Sequence, residues 1–80
     1  MEKFIEVCVS SLGGERTGIY LYVNPMHIVE LHFNQTQYER NIEATLIDKT
    51  RVIILYQKDL VNLVGEEYAL ELKRKVKGEE

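Results

Sequence analysis

The sequence predicts an α+β domain: a four- to five-stranded antiparallel sheet, open or curled into a partly closed barrel, with a C-terminal helix packed on one face. Three observations carry this prediction. Short runs alternate apolar and other side chains with a period of two. Turn-forming residues separate them at Gly13-Gly14, Asn24-Pro25 and Asp48-Lys49-Thr50. After Lys58 the apolar period lengthens to that of a helix.

The first strand is expected over residues 3–10, where Ile5, Val7 and Val9 share one face and Phe4, Glu6 and Cys8 the other. Gly13-Gly14 turns the chain into a second strand at 19–23, with Ile19, Leu21 and Val23 opposite Tyr20 and Tyr22. Pro25 lacks an amide hydrogen and ends that ladder, leaving room for one helical turn at 25–28. A third strand is expected at 28–33, then a long polar hairpin loop over 34–41. Strands at 42–47 and 51–57 follow. The second of these carries Val52, Ile54 and Tyr56 on one face and Ile53 and Leu55 on the other. Apolar residues on both faces mark a central strand, or one face kept for assembly. In the helical region Leu60, Val61, Val64, Tyr68, Leu72 and Val76 fall near one face, with Asp59 as the expected N-cap and Gly65 as a break. Glu66 and Glu67 at the start of the second part, and Lys73, Arg74, Lys75 and Lys77 at its end, complement the helix dipole. Residues 1–77 read as one domain and 78–80 as a frayed tail.

Eighty residues bury only about 60% of the unfolded chain's surface, so the core is thin. Cys8 is the single cysteine, which rules out an internal disulfide, and no Cys/His set has zinc-site spacing. Self-association is one remaining source of stability. The net charge is −3, the opposite of the basic field that broad phosphate contact requires. No run reaches the length of a membrane span, and the N-terminus has no basic stretch leading into an apolar one. A cytoplasmic setting is the expectation.

From Val9 to about Val64 the order of elements resembles the FlbD family of small flagellar-operon proteins. The residues behind the resemblance are Gly13-Gly14, Tyr22-Val23-Asn24-Pro25, Ile28-Val29-Glu30-Leu31, Thr45-Leu46-Ile47, Val52-Ile53-Ile54-Leu55 and Leu60-Val61-Asn62-Leu63-Val64. The chain departs from that pattern in lacking a glycine after Asp48, in the polar segment 34–41, and in its longer C-terminal helix. The resemblance implies an accessory or regulatory role and brings no catalytic residue. The same elements loosely resemble half of a LytTR-type DNA-binding domain, or a small SH3-like barrel.

Catalytic chemistry finds little footing. His27 and His32 are five positions apart, which on a regular strand points them to opposite faces. Cys8, mid-strand, reads as a small buried hydrophobe. The carboxylates Glu6, Glu15, Glu30, Glu39, Glu43 and Asp48 are scattered and read as solvated surface, whereas paired acid–base work needs two in one cleft. No catalytic residue, metal or cofactor is expected. The aromatics stand out instead. Phe4, Tyr20, Tyr22 and Tyr38 are the candidate contacts for a protein partner or a second copy of the chain, because large amphipathic rings anchor interfaces. The expected function is a non-enzymatic interaction module: an adaptor, regulator or inhibitor acting through an exposed sheet face. The alternative is a nucleic-acid-binding regulator that stacks bases on Tyr20 and Tyr22 and meets phosphates with Lys73, Arg74, Lys75 and Lys77.

Overall fold

A computed structural model describes residues 4–78. Five strands are followed by two helices: β1 (Ile5–Ser10), β2 (Arg16–Val23), β3 (Ile28–Gln35), β4 (Arg40–Leu46), β5 (Arg51–Ile54), α1 (Gln57–Val64) and α2 (Glu66–Lys77). A single 3-10 turn, Pro25–His27, joins β2 to β3. The strands form one antiparallel sheet in the order β2-β1-β5-β4-β3. β5 is therefore central, as its two apolar faces anticipate, and Val52, Ile53 and Ile54 are all buried. β2 and β3 are the edges, and the sheet does not close. No helix among the described residues is long and apolar enough to cross a membrane.

One face meets the helices. Ile5, Val7, Ile42, Ala44, Leu46, Val52 and Ile54 pack there with Leu60 of α1 and Ala69 and Leu72 of α2. The helices lie over β3, β4 and β5, so β2 stays uncovered and is exposed along nearly its whole length. On the other face one row crosses all five strands: Tyr20, Cys8, Ile53, Glu43 and His32 stand opposite one another in successive pairs.

Two turns from opposite ends of the sheet also meet. β1 and β4 both run antiparallel to β5 and so run parallel to each other. In a flat sheet the β1–β2 turn and the β3–β4 turn would then lie at opposite ends. Here they touch: the Gly14 carbonyl accepts hydrogen bonds from Asn34 Nδ2 at 2.9 Å and Asn41 Nδ2 at 3.0 Å. Gly14 sits at φ 84°, and a Cβ there would collide with Asn34 Nδ2, so the clasp requires glycine on both counts.

Several boundaries differ from the sequence expectation. The expected start of β1 at Lys3 lies outside the described residues. β2 begins three residues early, where Thr17 Oγ1 donates to the Val9 carbonyl at 2.8 Å. Half of the long loop expected at 34–41 is ladder, with Asn34 opposite Asn41 and Gln35 opposite Arg40. Only residues 36–39 turn, organised by Thr36, whose hydroxyl accepts from the amides of Tyr38 and Glu39. β5 stops at Ile54, short of Gln57, because the chain turns away into α1. Tyr56 holds the N-cap position in place of Asp59, which sits in the first turn and serves the dipole from there. The C-terminal helix is two helices, as Gly65 anticipates, and Gly65 at φ 90° resets the helical phase. Tyr68 consequently points outward, 47% exposed, and Ala69 takes the inward position. Gly78, expected to begin the frayed tail, instead caps α2 in the left-handed conformation; residues 79 and 80 of that tail lie outside the described residues.

The β4–β5 turn stores strain. Lys49 has φ 72°, the one non-glycine with positive φ among the described residues. Asp48 Oδ1 stabilises the turn by accepting from the Thr50 amide at 3.0 Å. Left-handed geometry costs an L-residue about 1–2 kcal/mol, and glycine's extra unfolded-state entropy returns about 0.5–1 kcal/mol of that. Lys49→Gly is thus expected to stabilise the fold by about 0.5–1 kcal/mol. A lower urea midpoint for this variant would contradict the argument.

Candidate functional site

The face away from the helices carries two groups of side chains, one aromatic and one polar. β1 and β2 position the aromatic group. Tyr22 pairs with Glu6 and Tyr20 with Cys8, so period two sets both tyrosines beside β1 on the same side as Phe4. Phe4 is 60% exposed, Tyr20 54% and Tyr22 69%, so none of the three is spent on the core. Tyr56 joins them from beyond β5, its hydroxyl donating to Glu6 Oε1 at 3.0 Å. That bond and the Glu6 charge hold the Tyr56 phenol above its ordinary pKa. The Lys58 ammonium stands 5.8 Å from the centre of the Tyr56 ring.

Phe4 and Tyr22 also form one wall of a groove of about 510 Å³, completed by the 3-10 turn and the β4–β5 turn through His27, Leu46 and Ile47. Ile47, 64% exposed, extends the apolar surface. The aromatic expectation thus splits. The fold brings Phe4, Tyr20 and Tyr22 together, whereas Tyr38 stands apart on the β3–β4 turn, 77% exposed. Ile47 is an addition to the expected set, and so is the place of Tyr56, which the strand period set on the face of Val52 and Ile54 and the structure puts beside Glu6. Ile47 was detectable, since Ile42, Ala44 and Leu46 already fill the inward positions of β4 and the next residue must point out. Tyr56 was not, because its contact is made 50 positions away.

The polar group centres on Glu43. Its side chain is 3% exposed, which corrects the reading of Glu43 as solvated surface. Ser10 Oγ donates to Oε2 at 2.6 Å, and His32 Nε2 lies 3.1 Å from Oε1. The carboxylate is sheltered because its strand is internal and its partners arrive from β1 and β3. Beside it, Asn41 Nδ2 donates to Glu39 Oε1 at 2.9 Å, and Arg16 Nε lies 3.4 Å from the same oxygen. Burial alone would push the Glu39 carboxyl up, but Asn41 together with the Arg16 amide and guanidinium outweighs it and holds the pKa below its ordinary value.

Cys8 is fully buried, its thiol 3.5 Å from the Val9 carbonyl, in keeping with a packing role. His27 is exposed on the 3-10 turn, away from His32. Among the described residues no three His, Cys, Asp or Glu side chains gather as metal ligands. The basic helix end also divides. Lys73 and Lys77 line a recess near the start of α1, and Arg74 and Lys75 are exposed outside it.

Comparison of the chain with protein-family models, with curated proteins and with solved structures returns no match.

Proposed function

We propose that this chain is a small non-enzymatic interaction module, an adaptor, regulator or inhibitor that binds a protein partner or a second copy of itself through the Phe4, Tyr20 and Tyr22 face. The observation behind this reading is that three aromatic residues and Tyr56 gather on the side of the sheet that the helices leave uncovered, each at least 46% exposed. Exposed apolar clusters of this kind are uncommon on monomers and favour protein contact. Base stacking fits the same rings less well. Glu6 sits among them, and β2 offers no cation between Ile19 and Val23 to hold a phosphate backbone. The resemblance to the FlbD family agrees with an accessory role, and a reducing cytoplasm suits the lone thiol Cys8.

The test is affinity capture of the tagged protein from its native lysate, with nuclease and at high salt, beside sedimentation analysis of the purified chain. The wild type is expected to retain one protein partner or to dimerise. Tyr20→Ala with Tyr22→Ala is expected to abolish either association while leaving the melting temperature nearly unchanged. Association that survives the double variant, or nucleic acid recovered only without nuclease, would overturn the reading. Unfolding of the variant would assign the tyrosines to stability instead.

A further inference from the structure

A second concave surface borders the aromatic face at Tyr56. Where the end of α2, the start of α1 and β4 meet, a recess of about 160 Å³ opens. Arg16, Arg40, Lys73 and Lys77 line it. These are four of the chain's ten Lys and Arg, and none of its 13 Asp and Glu lines the recess among the described residues. Arg16 is paired with Glu39, but Arg40, Lys73 and Lys77 have no ion pair among the described residues. In a chain of net charge −3, this local excess is the reverse of the average surface. Like charges grouped around a concave, partly apolar floor repel one another and focus a positive field into it. Ile54, Leu60 and Val76 supply that floor.

We propose that this recess binds a phosphate monoester. The volume is below the roughly 300–1,000 Å³ of whole-ligand pockets and equals about five waters. It therefore holds a headgroup while the rest of the ligand stays outside. Three cations with no ion pair among the described residues call for more than one negative charge, and a monoester carries about −1.5 to −2 near neutral pH. The planar fork of Arg40 suits phosphate oxygens. A backbone diester carries one charge and has substituents on two oxygens, so it matches three cations less well than a monoester does. Lys73 and Lys77, four apart on α2, present both ammonium groups on one side of the helix.

The experiment is an amide chemical-shift titration of the full chain with phenyl phosphate, with benzoate and a short oligothymidine as comparisons. Phenyl phosphate is expected to bind saturably, shifting amides near Arg40, Lys73 and Lys77, and benzoate to bind more weakly. Arg40→Gln with Lys77→Gln should weaken phenyl phosphate by about tenfold or more, a loss of about 1.4 kcal/mol. Arg74→Gln with Lys75→Gln removes the same charge outside the recess and should change binding by less than about twofold. If the Arg40 variant fails to fold, Lys73→Gln with Lys77→Gln makes the same comparison. Absence of saturation, equal losses in the two double variants, or oligothymidine that outcompetes phenyl phosphate would each overturn the proposal. The two surfaces share Tyr56 at their border, and the variants of each test leave it in place, so failure here is distinguishable from failure of the aromatic interface.

Discussion

Replacing Ile53 by alanine is expected to cost about 2–5 kcal/mol, the range for truncating a fully buried branched side chain. Ile53 is the largest side chain with no exposure at all. It belongs to the central strand, and its neighbours across the sheet are Cys8 and Glu43. Those neighbours are on backbones fixed by ladders on both sides, so the space left by Ile53→Ala cannot collapse easily. A single core of this size rarely supplies more than about 3–5 kcal/mol, so the variant is expected to be largely unfolded at room temperature. Urea denaturation of the wild type and of the milder Ile53→Val, expected to lose about 0.5–1.5 kcal/mol, measures the effect without relying on the unfolded variant. A loss below about 0.5 kcal/mol for the valine would show that the non-helical face contributes little to stability.

Glu43→Ala is the second large effect, expected at about 3 kcal/mol. Removing the carboxylate leaves the Ser10 hydroxyl without its 2.6 Å acceptor, worth about 1–3 kcal/mol when the group is sheltered. Shortening the stem takes one methylene, Cγ, from beside Ile53, worth about 0.8 kcal/mol. His32 adds little to the loss, since its side chain is 44% exposed and turns to water. Glu43→Gln keeps the stem and an acceptor and should lose only about 1 kcal/mol. Equal losses for the two variants in chemical denaturation would place the whole effect in the charge and contradict the share assigned to packing.

These two residues also mark the limit of what was legible in the sequence. Strand number, the central place of β5, the break at Gly65 and the burial of Cys8 all follow from local features, namely periodicity, turn chemistry and apolar residues on both faces. Local rules failed where a polar residue is satisfied from far along the chain. Glu43 looks like any strand carboxylate until Ser10, 33 positions away, becomes its partner. Asn34 and Asn41 look like loop until the Gly14 carbonyl, 20 and 27 positions away, accepts from both. The same holds for the candidate surfaces. Phe4, Tyr20 and Tyr22 converge because strand alternation is local, whereas Tyr38, equally aromatic, is placed elsewhere by a turn whose register the polar composition concealed. Lys73 and Lys77 were visible as a basic helix end, but their separation from Arg74 and Lys75, and their meeting with Arg16 and Arg40, depend on tertiary structure.

The central position of β5 has a consequence for how the chain folds. The β1–β2 and β3–β4 hairpins need only neighbours in sequence and can form on their own within microseconds. Neither can join the other in one ladder without the strand between them, which is made last of the five. Cys8 and Ile53, opposite each other, are 45 positions apart, so docking β5 closes a long loop before most of the burial is gained, a slow step by the measure of contact order. During synthesis the first fifty residues can therefore hold two hairpins with their inner edges open. A short, wholly apolar bridge, Val52-Ile53-Ile54, converts them into one cooperative unit, and the helices that follow immediately seal the apolar side once the bridge is in place.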